Sequence, residues 1–249
     1  MIPNRRYRKP PVIEALCEIF FAESTWDDTV PGSFYERIKD DFPKKQKRTI
    51  QEAQISFGPE QAVAGVRQLP PWMQFISEEK HRMIQVAQDL LVINQLRPYP
   101  HFEEWEPEIY SAFGIYKELA NPKKVTRLGL RYINRIVIPE ERVRMEDYFT
   151  IYPNLPARLG DTHGSFLVRV EVPQTEGHAV LITFGTAPPS GQNQHPFMLD
   201  LYDILHINGP VDENTLKQQI GCAHDNIVVA FEDSITDTLR ALFEPEDQP

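Results

Sequence analysis

Three observations predict an α+β protein built on antiparallel sheet, with long helices packed on one side. Short runs rich in branched and aromatic residues are separated by turn signals, which is the pattern of hairpin-connected strands. Two longer segments carry apolar residues at helical spacing. The order strand, short helix, several strands, long helix occurs twice, so the chain divides into two related β-α-β(3-4)-α halves, 1–121 and 122–249, expected to form one compact unit.

The first strand is expected from about Val12, where Pro10 and Pro11 precede the run VIEALCEIFFA; Glu14, Leu16, Glu18 and Phe20 alternate onto one face. Residues 31–42 place Phe34, Ile38 and Phe42 at helical spacing between Pro31 and Pro43, predicting a short helix. Four strand-like runs follow at 50–57, 62–69, 72–77 and 83–96, punctuated by Gly58-Pro59, Pro70-Pro71 and Glu78-Glu79-Lys80, and predict an antiparallel meander. Over 103–120, Trp105, Ile109, Ala112, Phe113, Tyr116 and Leu119 share one side of a helix, with Pro107 in its first turn and Asn121-Pro122 as its stop.

The second half opens on RLGLRYINRIVIP, 127–139, whose composition is that of a strand; alternation sends Arg127, Arg131 and Arg135 to one face. A weakly helical patch at 144–149 and a Pro/Gly-rich connection lead to strands at 165–172, 178–186 and 197–207, with a turn at 174–177 and a loop at 188–196. The chain ends on a helix capped by Asp212. Its stripe runs from Leu216 through Ile220, Ala223, Ile227, Phe231, Ile235 and Leu239 to Leu242, and about thirty residues would span roughly 45 Å. The arrangement resembles the helix-grip and TATA-binding-protein-like class, which implies a curved sheet with an open concave face.

Four segments carry a further resemblance: PPVIEALCE from Pro10, DLLVINQLRPYPHFEEW from Asp89, RLGLRYINR from Arg127 and HDNIVVAFEDSI from His224. Together they resemble a sporadically distributed bacterial family that spans nearly this whole length and has no established activity, cofactor or catalytic residue. Its patchy distribution implies mobile or defence-associated gene cassettes, including antiviral defence.

Composition narrows the function classes. The chain has 26 Lys plus Arg against 36 Asp plus Glu, and a net charge of -10 disfavours sequence-independent nucleic-acid binding, although Arg5, Arg6, Arg8 and Lys9 form one local basic cluster and Lys44, Lys45, Lys47 and Arg48 another. Cys17 and Cys222 are the only cysteines and form no C-x-x-C, which argues against a disulfide scaffold or zinc ribbon. The apolar run 15–22 is short and interrupted by Glu18, so no membrane span and a cytoplasmic location are expected. The seven histidines make no metal-ligand spacing, no glycine-rich nucleotide loop occurs, and Asp161, His163 and Ser165 in the 160–165 loop are too close in sequence to form a triad. Neither metal, cofactor nor catalytic residue is assigned.

The arginine row has two readings. Arg127, Arg131 and Arg135 either brace the sheet by pairing with Glu14, Glu18 or an acidic helix, or bind an anionic group on an open face. Glu14 and Glu18 are four apart rather than the two apart of a metal-triphosphate tunnel strand. Tyr99, Phe102 and Trp105 either seal a strand-helix junction or form a recognition loop. The leading function is a non-catalytic binding protein that recognises a protein partner, such as a co-encoded effector or toxin, or a small anionic ligand on a concave sheet face. The alternatives are an enzyme or sensor for a phosphorylated or nucleotide-like ligand and a nucleic-acid binder. Homodimerisation is left open, since no heptad or exposed apolar strip compels it.

Overall fold

The computed structural model describes residues 5–48, 51–57, 62–68, 72–140, 142–159, 164–189 and 195–246, with 51–57, 62–68 and 157 described by backbone alone. The first half runs β1 (Val12–Ala22), α1 (Val30–Ile38), β2 (Lys44–Arg48), β3 (Gln51–Phe57), β4 (Ala62–Gln68), β5 (Trp72–Ile76), β6 (Arg82–Ala87), β7 (Leu90–Leu96) and α2 (Phe102–Ala120). The second runs β8 (Lys124–Ile138), α3 (Met145–Tyr148), β9 (Leu167–Pro173), β10 (His178–Thr186), β11 (His195–Pro210), α4 (Glu213–Ser234) and α5 (Asp237–Leu242). Nine strands form one open antiparallel sheet in the order β2-β5-β6-β7-β1-β8-β11-β10-β9. The fold is therefore α+β, and β1 and β8, the opening strands of the two halves, lie side by side at its centre.

Alternation along the central strands separates the sheet into two chemically different faces. Ala15, Cys17 and Ile19 of β1 align with Gln95, Ile93 and Leu91 of β7 and with Tyr132, Leu130 and Leu128 of β8. The apolar members of this face are buried beneath α1, α2 and α4, which contribute Phe34, Trp105, Phe113, Tyr116, Ile220 and Ile227. Each large side chain removed from water there contributes roughly 1.5–3 kcal/mol. The other face holds Glu14, Glu18, the arginine row and a smaller apolar patch of Leu16, Ala87, Leu90 and Val92.

The structure departs from the local reading at five places. The basic cluster 44–48 is an edge strand, and β3 and β4 pair only with each other, so the first-half meander is β5-β6-β7. The run 83–96 is a hairpin rather than one strand, because Asp89 takes a left-handed φ of 60° that aspartate tolerates, and its carbonyl accepts the Phe21 N–H at 2.9 Å. Pro107 is the sixth residue of α2, not part of its first turn. The terminal helix breaks after Ser234: Ile235 is extended and bridges Phe149, Thr236 caps α5 by accepting from Leu239, and Arg240 covers the freed carbonyls of Glu232 and Ile235. At 22 residues, α4 spans roughly 33 Å rather than 45 Å. Most of the expected 160–165 turn and of the 188–196 loop lies outside the described residues.

Candidate functional site

The three arginines do share a face, but each has a different environment. Arg131 makes a two-pronged ion pair with Asp200 of β11, at 2.7 Å from Nε and 2.5 Å from the second nitrogen, and this pair holds the guanidinium more firmly charged than usual. Arg127 lies 3.8 Å above the Phe20 ring. Arg135 donates to the Pro188 carbonyl at 3.3 Å and lies near Arg97, whose pKa is lowered by burial and by the Arg135 charge. None of the described pairs joins this row to Glu14 or Glu18, although β1 lies directly beside β8. Instead Glu18 accepts from Tyr202 at 2.6 Å. The ring passes over Gly129, where a Cβ would stand 2.6 Å from the Tyr202 ring and hydroxyl, so glycine is required for that contact.

Glu14 terminates a polar ladder that sequence reading missed. Gln46 donates to Gln74, Gln74 to Gln85, Gln85 to Asn94, and Asn94 to Glu14, at 2.7, 2.8, 2.9 and 2.7 Å. The chain crosses β2, β5, β6, β7 and β1 on the face opposite the helices. Each interior amide is satisfied by using one donor and one acceptor, the condition for burying such groups at little cost. Three isolated glutamines and one asparagine in four separate strands gave no signal of this.

A cavity of about 150 Å³ opens on the helix-covered side. It lies between the N-terminal segment from Arg5 to Val12, the start of α2, β8, β11 and α4. Phe102, Leu201, Ile227, Val228 and Phe231 supply much of its apolar wall, and Arg5, Arg6 and Glu103 are also present. Tyr99 contacts Tyr132 hydroxyl to hydroxyl at 2.9 Å, and Tyr132 contacts His224 Nδ1 at 3.2 Å. The His224 ring stacks on Phe102 at 4.0 Å between centroids. Burial lowers the His224 pKa to about 4 despite the opposing charge of Glu103, so the ring is neutral at neutral pH; burial likewise holds the Tyr132 hydroxyl well above its ordinary pKa.

Asn134 completes this wall. It is 1% exposed, and its Nδ2 donates to the Leu199 carbonyl at 3.0 Å, which orients the amide, while Oδ1 is buried without a hydrogen-bond partner. Tyr99 thus lines the cavity. Trp105 is 2% exposed and belongs to the core beneath it, with its ring edge-on to Tyr132. Tyr132, Asn134 and His224 were in the quoted sequence motifs, but nothing local marked them as neighbours.

A second buried polar group lies toward β10. His178 contacts Asp203 through Nδ1 at 2.5 Å and Gln219 through Nε2 at 2.7 Å, and Asn226 donates to Asp203 at 2.9 Å. Among the described residues no cluster of His, Cys, Asp and Glu could hold a metal ion, and no helix is long and apolar enough to cross a membrane. No protein-family model matches the chain, and no curated protein is significantly similar to it.

Proposed function

We propose that this chain is a non-catalytic binding protein whose ligand is a small molecule seated in the helix-side cavity. The observation that carries this reading is a cavity with a mostly apolar wall that also holds the Tyr99-Tyr132-His224 chain and the buried Asn134, whose Oδ1 has no hydrogen-bond partner. Small-molecule sites have this composition: an apolar body with a few fixed polar groups. An orphaned buried acceptor is costly until a donor reaches it, and a cavity of this size accepts about one aromatic ring. The favoured ligand class is a neutral aromatic or similarly flat molecule carrying one hydroxyl or N–H. Among the described residues nothing in the wall selects an anion: Arg5 is paired with Glu232, Arg6 with Glu103, and His224 is uncharged. The sheet-face anion reading weakens because Arg131 already spends its fork on Asp200.

We also read the two halves as a duplication of the helix-grip type, since β1 and β8 occupy equivalent central places and each half sets its last strand beside its first, with the earlier strands farther out. On the four sequence segments given above, we place the chain with the sporadically distributed bacterial family. Phenol tests the cavity. Ligand-observed NMR at millimolar phenol should show binding, and Val228→Phe, which fills the cavity from α4, should weaken it at least about tenfold, equivalent to about 1.4 kcal/mol. Absent binding, or binding indifferent to Val228→Phe, would refute the proposal.

A further inference from the structure

The two edges of the sheet differ in a way that points to a partner. β2 ends one side with Lys44, Lys45, Lys47 and Arg48, a run of like charge that repels an added strand. β9 ends the other with LVRVEVP, in which Leu167, Val170 and Val172 are 73%, 43% and 36% exposed. These are three of the eight large apolar side chains exposed among the described residues.

The backbone of β9 is also poised to pair. Thr186 N–H bonds the Phe166 carbonyl at 3.2 Å and Gln174 N–H bonds the His178 carbonyl at 2.8 Å, so even-numbered residues turn their peptide groups toward β10. Leu167, Arg169, Glu171 and Pro173 turn theirs outward. Proline occupies an outward position, where its missing N–H breaks no bond to β10.

We infer that β9 pairs antiparallel with β9 of a second copy of this chain, about a two-fold axis through Val170. The sequence is self-complementary in that register. Arg169 of each copy faces Glu171 of the other and exchanges both backbone hydrogen bonds with it, Val168 faces Val172, and Val170 faces Val170. Moving the axis to residue 169 or 171 sets Arg169 against Arg169 or Glu171 against Glu171, so charge selects the register. The pairing joins two nine-stranded sheets into one and covers the exposed valines.

Sedimentation across a concentration series tests it, with thermal melts confirming that each exposed-site variant stays folded. The wild type should be a dimer. Arg169→Glu should raise the dimer Kd about tenfold or more, and the double exchange Arg169→Glu with Glu171→Arg should restore it. Val170→Lys should give monomer, and Val170→Cys should form an intermolecular disulfide on mild oxidation, because unbonded antiparallel pairs bring Cα atoms to about 4.5 Å. A wild type that stays monomeric at hundreds of micromolar overturns the proposal. So does a dimer indifferent to both Arg169→Glu and Val170→Lys, or one in which the double exchange fails to restore what the single one lost.

Discussion

His178 and His224 both lie on the helix-covered side of the sheet, yet their surroundings push them in opposite directions. Burial opposes protonation of His178, but hydrogen bonds to Asp203 and Gln219 and the Asp203 charge outweigh it, raising its pKa above the ordinary value. His224 has no such carboxylate contact, and burial takes it down to about 4. For His178 the folded pKa exceeds the unfolded value, so its contribution to stability is present below about pH 6.5 and is lost as pH rises through the folded value. For His224 the sign reverses, with stability present above about pH 6.5 and lost as pH falls toward 4. In an NMR titration the His178 ring should therefore titrate above about 6.5, and the His224 ring near 4. Coincident titrations would contradict the two environments. The histidines were visible in the sequence, but their charge states depend on Asp203 and Phe102, which no local pattern assigns to them.

At the scale of elements, Glu232 holds the chain ends together. It is 4% exposed near the end of α4 and accepts from Tyr7 at 2.6 Å, Arg5 at 3.0 Å and Arg240 of α5 at 2.8 Å. Beside it the N-terminal segment pairs with the C-terminal one: Arg8 and Lys9 donate to the carbonyls of Glu244 and Phe243, both at 3.0 Å. Removing one partner of a buried charge cluster leaves the others desolvated and unpaired, which typically costs 3–5 kcal/mol; exposure of Arg5 puts Glu232→Ala near the lower end, about 3 kcal/mol. Urea denaturation checks that loss, and hydrogen exchange should show the Arg8 and Lys9 amides losing protection before the central strands. Unchanged protection at those amides would show that Glu232 does not tether the segment. Taken locally, the acidic run from Glu232 onward reads as a solvated face or tail. What it could not show is that α4 stops at Ser234 so that α5 returns Arg240 to this carboxylate.

For the whole molecule, the central β1·β8 pairing is decisive. Each strand has a partner on both sides, so separating the halves would strip an interior ladder and expose the apolar face of both. Trp26, Trp72 and Trp105 all fall within the first 121 residues, which makes tryptophan fluorescence a reporter of the first half, whereas far-ultraviolet circular dichroism reports the full sheet. Unfolding in urea should give coincident transitions by the two probes. An earlier fluorescence transition would mean that the halves unfold independently. The expected division at 121/122 marks a repeat in element order, while the strand ladder runs straight across it.

The sequence by itself determined most element types, the alternation that sends Arg127, Arg131 and Arg135 to one face, and the buried stripe Leu216, Ile220, Ala223 and Ile227 of α4, because these depend on residues a few positions apart. Only the tertiary structure decided that Arg131 meets Asp200, that Glu18 meets Tyr202 across Gly129, and that Asn134 stands with His224 at a cavity. Those partners lie 69, 184 and 90 residues apart. Which strands become neighbours, and in what register, follows from burying every element's apolar face at once, a condition the whole chain satisfies and no segment contains.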